Sequence, residues 1–589
     1  MIIKLLVLVE KFGMFLLLAL LFITFCFAVQ DAMNVTGSSP SLLQAVVNTV
    51  NSDGDSAQGW AKAMHFILRG VLAWAAVRVY VATAGLNWDT LKARYFMRSH
   101  IVIAAGRRAD DKISSNILLK SEGSDAYVDK SELAVELALS LAKDNDVVLS
   151  LPGLDEGRRA KLWAVGVKVL AEAMDMPELL AATGANRART LIAMRDHYAD
   201  NITLTATSLS PAFGNKLLEC KCMLDPLNVK RTFKVEDYFE SSALPRIRVF
   251  NDAELLARRL LKTFPPDAAV ATSEVGVHVL LVGLGAVGQS ILLQLARVGH
   301  YRSVVKSKVK PKVTVVDRNV KARLSQALAA YPALGDLLEV IPVEARIEDL
   351  GPNDLKRWMS DDPPLSIVYV CTKNEIANLR IARLCLRLLH PPGAHKTEVK
   401  VIALDAPGGC ILSDFAEHGE FSGKFHLFSL LANNGGNKEQ SLLTDVDDQR
   451  AKILHRNYCA ENEKEASNLP WEQLPEDLRD SNRFTTDHFD VKLRAIGCGT
   501  LADEGIEAAV LSEAEHELLA ELEHNRWCAD KLLAGWRYGS EKVPIKMLHP
   551  NLVHYALLPE DDKKKDRQQV DTMMAIIKAE GLTVTRMPK

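Results

Sequence analysis

Three glycines and one acid carry the clearest chemistry in this chain. Gly283-Leu284-Gly285-Ala286-Val287-Gly288 follows the apolar run Val279-Leu280-Leu281-Val282 and opens onto Gln289-Ser290-Ile291-Leu292-Leu293-Gln294-Leu295. That order reads as strand, tight turn, helix. In such a turn the first glycine permits the reversal and the second lets backbone N–H groups approach a pyrophosphate. The third lets helix close on strand, and the helix N-terminus faces the negative charge. A second apolar run, Val313-Thr314-Val315-Val316, ends on Asp317, a residue type that accepts hydrogen bonds from a ribose 2′-hydroxyl. Asp317 stands later than the ~20 residues usual for this spacing. The basic segment Ser303 to Lys312 accounts for the delay as an inserted loop.

The elements that must position these residues form an α/β Rossmann unit, and the chain carries it twice. His100 to Gly106 repeats the strand that ends at Gly283. Thr190-Leu-Ile-Ala-Met-Arg-Asp-His-Tyr-Ala-Asp-Asn201 parallels Ile367-Val-Tyr-Val-Cys-Thr-Lys-Asn-Glu-Ile-Ala-Asn378. The interval from Gly106 to Gly283 equals that from Asn201 to Asn378, the mark of a tandem duplication. In the first copy Arg107, Arg108, Ala109, Asp110 and Asp111 replace the rest of the fingerprint, and no acid follows the second strand, Asp146 to Leu151. The first copy is therefore expected to have lost dinucleotide binding. Arg107 and Arg108 read either as a phosphate-holding pair or as solvated charges.

A length of 589 residues fits three or four domains. The balance of 71 basic against 74 acidic residues gives no nucleic-acid footprint. Nine cysteines without a CxxC pair indicate neither a zinc site nor a disulfide framework, so no metal is expected and the thiols read as reduced.

Phe12 to Val29 carries no charge and, with Leu5 to Val9 before it, is long enough to cross a bilayer of ~30 Å. A cleaved signal peptide is the rival reading. A second apolar segment, about Met64 to Leu86, favours a two-helix hairpin, although Arg69 and Arg78 interrupt it and suit a bundle interior. Lys4 and Lys11 precede the first span, and Lys92, Arg94, Arg98, Arg107 and Arg108 follow the second. The positive-inside rule then puts both termini in the cytoplasm of a multi-pass protein of the cell inner membrane. Between the spans, Ser41 to Val50 reads as a short helix running into Asn51, Ser52 and Asp53. This layout resembles a two-helix potassium channel, with Thr49-Val50-Asn51-Ser52-Asp53 where that family has T-V-G-Y-G, so that Asn51 and Asp53 stand at the glycines and Ser52 at the tyrosine. The missing glycines remove the carbonyl ladder, so a ring of Asp53 in a homotetramer would favour cations with loose selectivity. An ordinary polar loop is the alternative.

Tandem Rossmann units behind two spans resemble the RCK (TrkA-N, KTN) domains of gated channels and transporters, over roughly His100 to Pro407. The resemblance implies that the intact copy binds NAD(H) or another adenine nucleotide as a regulator. Gly283, Gly285, Gly288 and Asp317 would contact it, with Thr372 and Asn378 near the opposite lip. It also implies that occupancy is converted into a pull on the membrane helices.

Beyond Cys410 the pattern changes. Leu442 to Glu465 reads as a polar helix with His455 and Tyr458 a turn apart. Ser512 with Glu515 forms a capping box that opens a helix ending at Gly535, with Leu518, Leu519 and Leu522 on its buried side. Glu523-His524-Asn525-Arg526-Trp527, Gly535-Trp536-Arg537-Tyr538-Gly539, His549-Pro550 and Asp566-Arg567 resemble the RyR domain, the repeat of ryanodine receptors and of free-standing bacterial proteins. His524, Arg526, Trp527, Trp536, Tyr538, His549 and Tyr555 form its candidate pocket for a nucleotide-derived ligand, since such rings can sandwich a planar or cationic group. A purely structural aromatic core is the competing reading.

These readings divide the chain into a membrane hairpin with a re-entrant pore loop (1–98), a first Rossmann domain (99–270), a second (271–410), a linker (411–441) and the RyR domain (442–589). The expected function is a membrane-anchored, nucleotide-sensing regulator or ion channel and not an enzyme. A non-conducting effector or scaffold of a bacterial defence or stress system is the alternative. An NAD-dependent oxidoreductase fits less well, because no Ser/Tyr-x-x-x-Lys or His/Asp constellation stands at a suitable distance.

Overall fold

The computed structural model describes residues 88–106, 130–224, 237–239, 243–372, 374–390, 399–405, 423–431, 448–461, 468–503 and 505–587. The chain divides into two compact units, Met1–Phe96 and Met97–Lys589. Of the first, the described part is the helix Trp88–Tyr95. The expected spans and the candidate pore residues Asn51, Ser52 and Asp53 lie outside the described residues. Among the described residues no helix is long and apolar enough to cross a membrane.

Two six-stranded parallel sheets occupy the first two thirds of the larger unit. β1 (Ile101–Gly106), β2 (Val147–Ser150), β3 (Lys168–Leu170), β4 (Thr190–Arg195), β5 (Glu219–Met223) and β6 (Ile247–Phe250) lie in the order β3-β2-β1-β4-β5-β6. The central strands β1, β2 and β4 are buried along their whole length, which explains why they read as unbroken apolar runs rather than alternating ones. β7 (His278–Val282), β8 (Lys312–Asp317), β9 (Glu339–Glu344), β10 (Leu365–Val370), β11 (Lys400–Leu404) and β12 (Phe425–Phe428) repeat the same order as β9-β8-β7-β10-β11-β12. Both are doubly wound, Rossmann-like sheets that reverse beside their first strand, where such folds open a crevice. One apolar core, including Ile103, Leu149, Leu256, Leu260, Leu281 and Ile291, runs from the first sheet into the second.

The duplication inferred from spacing has a side-chain counterpart. Asn201 Oδ1 accepts from Arg195 N at 2.7 Å, and Asn201 Nδ2 donates to the carbonyls of Arg195 and Met223 at 3.1 and 3.0 Å. Asn378 Oδ1 accepts from Thr372 N at 2.8 Å, and its Nδ2 donates to Thr372 O and Leu404 O at 3.2 and 3.0 Å. In each copy a buried asparagine ties the end of the fourth strand to the end of the fifth. The segment before β8, expected as a plain loop, instead contains the short helix Arg302–Lys306.

The C-terminal region contains a second duplication, which the motif spacing alone does not reveal. The same interval separates Leu469 from Val553, Trp471 from Tyr555, Arg483 from Arg567 and Gly497 from Gly581. His455, Tyr458 and Cys459 match His524, Trp527 and Cys528 over a shorter common interval. The difference is the segment around Gly535 to Pro550, for which the first repeat has no counterpart. His455 Nε2 bonds Leu469 O at 2.7 Å, and His524 Nε2 bonds Val553 O at 2.8 Å. Arg483 pairs with Asp448 at 2.6 Å and with Glu476; Arg567 pairs with Glu517 and Glu560 at 2.7 and 2.6 Å. β13 (Cys498–Ala502) and β16 (Leu582–Arg586) pair antiparallel. The ladder is centred on the equivalent residues Thr500 and Val584, and Cys498↔Arg586 mirrors Ala502↔Leu582. A self-complementary ladder of this kind is what a local two-fold axis requires. Phe489, Leu493, Leu518, Leu519, Leu522, Val570, Ile576 and Ile577 fill the core around it.

Candidate functional site

At the reversal point of the second sheet lies a cleft of about 380 Å³. Each fingerprint glycine answers a different constraint there. Gly283 has φ +97°, and a Cβ on it would stand 2.8 Å from Cys371 O. At Gly288 a Cβ would collide with the carbonyl of Gly283, so only hydrogen lets the helix Ala286–Val298 close on the turn. Gly285 is different: its φ of −71° suits any residue, and a Cβ would meet nothing within 4 Å. The space beside Gly285 belongs to the cleft, at the N-terminus of that helix, where free N–H groups attract anions.

Asp317 sits at the end of β8 as expected, and its carboxylate is already engaged. Oδ2 accepts from Leu284 N at 2.9 Å and pairs with Arg323 Nη1 at 2.8 Å, while Oδ1 accepts from Asn319 N at 2.8 Å. The acid thereby fastens the glycine turn to the start of the next helix, Val320–Ala330. Thr372 lines the opposite lip, its hydroxyl 2.6 Å from Asn378 Oδ1. Asn378 is fully buried beneath and positions that lip. Arg318, Arg323, Arg346 and Glu348, none of them singled out from the sequence, also line the cleft. Arg318 was legible as the residue directly after the strand-end acid, whereas Arg323, Arg346 and Glu348 reach the cleft only through the fold.

In the first copy Arg107 and Arg108 lie outside the described residues, and the described part differs from the second copy at two positions. Ala104 pairs with Ser150 as Leu281 pairs with Val315, so Pro152 stands where Asp317 stands in the second copy. A Cβ at Gly106 would meet the Leu151 and Pro152 side chains at 3.1 and 3.2 Å. The buried Arg195 occupies the position of Thr372.

In the C-terminal region the rings of His524, Trp527, His549 and Trp536 form a chain. His524 stacks on Trp527 at 5.8 Å, Trp527 meets His549 edge-on at 4.9 Å, and His549 meets Trp536 at 6.2 Å. Tyr555 closes on His524 at 5.8 Å. Trp536, Tyr538 and His549 were expected in irregular chain. Tyr538 and His549 instead pair within a short parallel ladder of β14 (Arg537–Tyr538) with β15 (Leu548–His549), and Trp536 directly precedes it. Tyr538 is 61% exposed, and its ring meets none of the others among the described residues. Arg526 is buried and forked onto Glu523 at 2.8 Å, with Lys492 on the same carboxylate at 2.6 Å. Burial would raise Glu523, but these two cations hold it at about 2. Arg526 thus serves the core rather than the aromatic face.

Burial would lower the His524 imidazole, and the Asp566 carboxylate at 3.4 Å opposes it. With Cys528 and the Val553 carbonyl it pushes the group up to about 10. The first repeat has Asn482 at the position of Asp566 and therefore no such counter-charge for His455. Every described cysteine is free, and no group of His, Cys, Asp or Glu among the described residues is arranged to hold a metal.

No curated protein matches this sequence. Among solved structures the chain is similar to a dipicolinate synthase from Bacillus halodurans, at 13% identity and a TM-score of 0.20, over 59% of this chain and 96% of that one. At that score the likeness carries no argument, and the Rossmann-like character stands on the two strand orders. Residues 509–586, which hold the helix from Glu513, the aromatic chain and β16, match the RyR domain family.

Proposed function

We propose that this protein is a membrane-tethered sensor of small nucleotides. The second Rossmann copy takes NAD(H) or another adenine nucleotide as a regulatory ligand, in the manner of RCK domains. The RyR domain takes a second, nucleotide-derived ligand on its aromatic face, and the N-terminal segment is the output, a cation pathway in a homotetramer. The observation that carries the reading is the contrast among the glycines: Gly283 and Gly288 are closed in by backbone, whereas Gly285 faces open cleft at a helix N-terminus. That is the arrangement a pyrophosphate needs. Support for the tether is the charge-free run from Phe12 to Val29.

Gly285→Val tests it cleanly, because the backbone there accepts a side chain and the added atoms enter only the cleft. The variant should melt with the parent protein and lose adenine-nucleotide binding by calorimetry. Unchanged affinity in a folded Gly285→Val protein would refute the assignment.

A further inference from the structure

The ribose end of the cleft is built for more negative charge than a diol carries. A site that reads a ribose by its hydroxyls uses an acid whose lone pairs are open to the ligand. Here Asp317 is paired with Arg323 at 2.8 Å and accepts from two backbone N–H groups, with the two side chains only 9% and 22% exposed. Its charge is answered within the protein.

Two further guanidinium groups stand beyond that pair. Arg318 directly follows Asp317, and Arg346 lies just past β9, so both loops leave the C-terminal ends of neighbouring strands on the adenosine side of the fingerprint. Both residues are exposed, and neither meets a carboxylate at ion-pair distance among the described residues. Of the charged residues lining the cleft, Arg318, Arg323 and Arg346 face Asp317 and Glu348. With Asp317 already neutralised by Arg323, only Glu348 opposes the two outer cations. Guanidinium forks match phosphate oxygens in geometry and charge, whereas a neutral hydroxyl pair leaves them unanswered.

We propose that the cleft takes an adenine nucleotide bearing an additional phosphate on its ribose, held between Arg318 and Arg346. This rests on the nucleotide reading of the same cleft. The phosphate replaces the hydroxyl–Asp317 contact as the recognition element, and Arg323 keeps the acid from repelling it.

Calorimetry on the full-length, detergent-extracted protein decides the matter, with NADH, NADPH and adenosine 3′,5′-bisphosphate as probes. NADPH or the 3′,5′-bisphosphate should bind at least about ten-fold tighter than NADH at low salt. The margin should shrink at high salt, as screening weakens the added charge. Which of the two binds tighter identifies the 2′ or the 3′ position. In Arg318→Gln/Arg346→Gln, checked for an unchanged melting temperature, the affinities should converge. NADH binding as tightly as both phosphorylated probes would overturn the inference while leaving the nucleotide cleft in place, as would a preference that survives the double substitution. Binding by none of the probes would overturn both.

Discussion

Arg258 and Asp487 form a forked ion pair, Nε to Oδ2 at 2.7 Å and Nη2 to Oδ1 at 3.0 Å, between segments remote in sequence. Gln294 Nε2 adds a third bond to the same carboxylate at 3.1 Å. Arg258 belongs to the last helix of the first Rossmann copy, Gln294 to the helix that begins at the glycine fingerprint, and Asp487 to the first C-terminal repeat. One carboxylate therefore ties both Rossmann copies to the RyR-like region. Asp487→Ala would leave the Arg258 guanidinium buried without its counter-charge, at a cost on the order of 3 kcal/mol. Urea unfolding measures it, and a loss below about 1 kcal/mol would mean that the surrounding groups re-pair.

Acid should destabilise the second sheet through its buried histidines. His278 lies at the start of β7, Nδ1 3.2 Å from Pro363 O and Nε2 2.8 Å from Thr314 Oγ1. Burial, with Lys312 nearby, lowers it to about 4, and burial likewise lowers His300 to about 4. Between about pH 6.5 and 4 the unfolded chain binds protons that the folded chain refuses, so stability rises with pH across that window. The stabilisation is complete above about pH 6.5 and lost as pH falls toward 4. Melting temperatures followed across this range in parent and His278→Gln should show a shallower acid slope in the variant. Parallel curves would contradict the assignment.

His524 titrates in the opposite sense. Its folded value is pushed up to about 10, so the stability from its pairing with Asp566 is full below about pH 6.5 and declines as pH rises toward 10. Asp566→Asn reproduces the first repeat, where Asn482 stands at this position. Histidine ring NMR should show the His524 resonance titrating several units lower in that variant, with the alkaline loss of stability reduced. A resonance that stays protonated above pH 8 would show that Cys528 and the Val553 carbonyl suffice.

The aromatic chain should serve binding more than folding at its outer end. Trp536 is only half-buried and touches His549 and Lys531, whereas Leu519 and Leu522 at the helix core are fully buried. Leu522→Ala should cost about 2 to 5 kcal/mol. Trp536→Ala should cost about 1 kcal/mol or less, yet remove the response to the RyR ligand. Comparable losses of stability in the two variants would make Trp536 a core residue.

The cation pathway is tested at Asp53. In the proposed homotetramer four Asp53 carboxylates would face one axis and their mutual repulsion would favour protonation, so conductance in planar bilayers should fall as the outer side is acidified. Asp53→Asn should weaken cation preference, and Asp31→Asn should change it little. A dimeric particle that passes no current with any nucleotide would leave a tethered sensor without a pore.

The parts of this protein legible from sequence are those governed by neighbours along the chain. Apolar runs, the glycine spacing and the Ser512–Glu515 capping box fix strands, turns and helix ends through local backbone geometry, and the structure has each in place. The Rossmann duplication was legible because its strand and asparagine kept a common interval. The RyR-like duplication left the same kind of trace, but the segment around Gly535 to Pro550 breaks its register, and only the Thr500–Val584 ladder makes the two-fold plain.

Tertiary structure alone decided how the polar side chains are used. Asp317 has the type and position of a ribose acceptor, but whether its lone pairs are open depends on Arg323 folding back from the next helix. Arg526 belongs to a ligand-pocket motif by sequence, and its burial against Glu523 and Lys492 makes it part of the core. Arg346 and Arg318 share a cleft because β8 and β9 are paired strands, and Asp487 meets Arg258 because three helices converge. Backbone conformation is set within a few residues, whereas the partner of a charge is set by whatever the fold brings within about 4 Å.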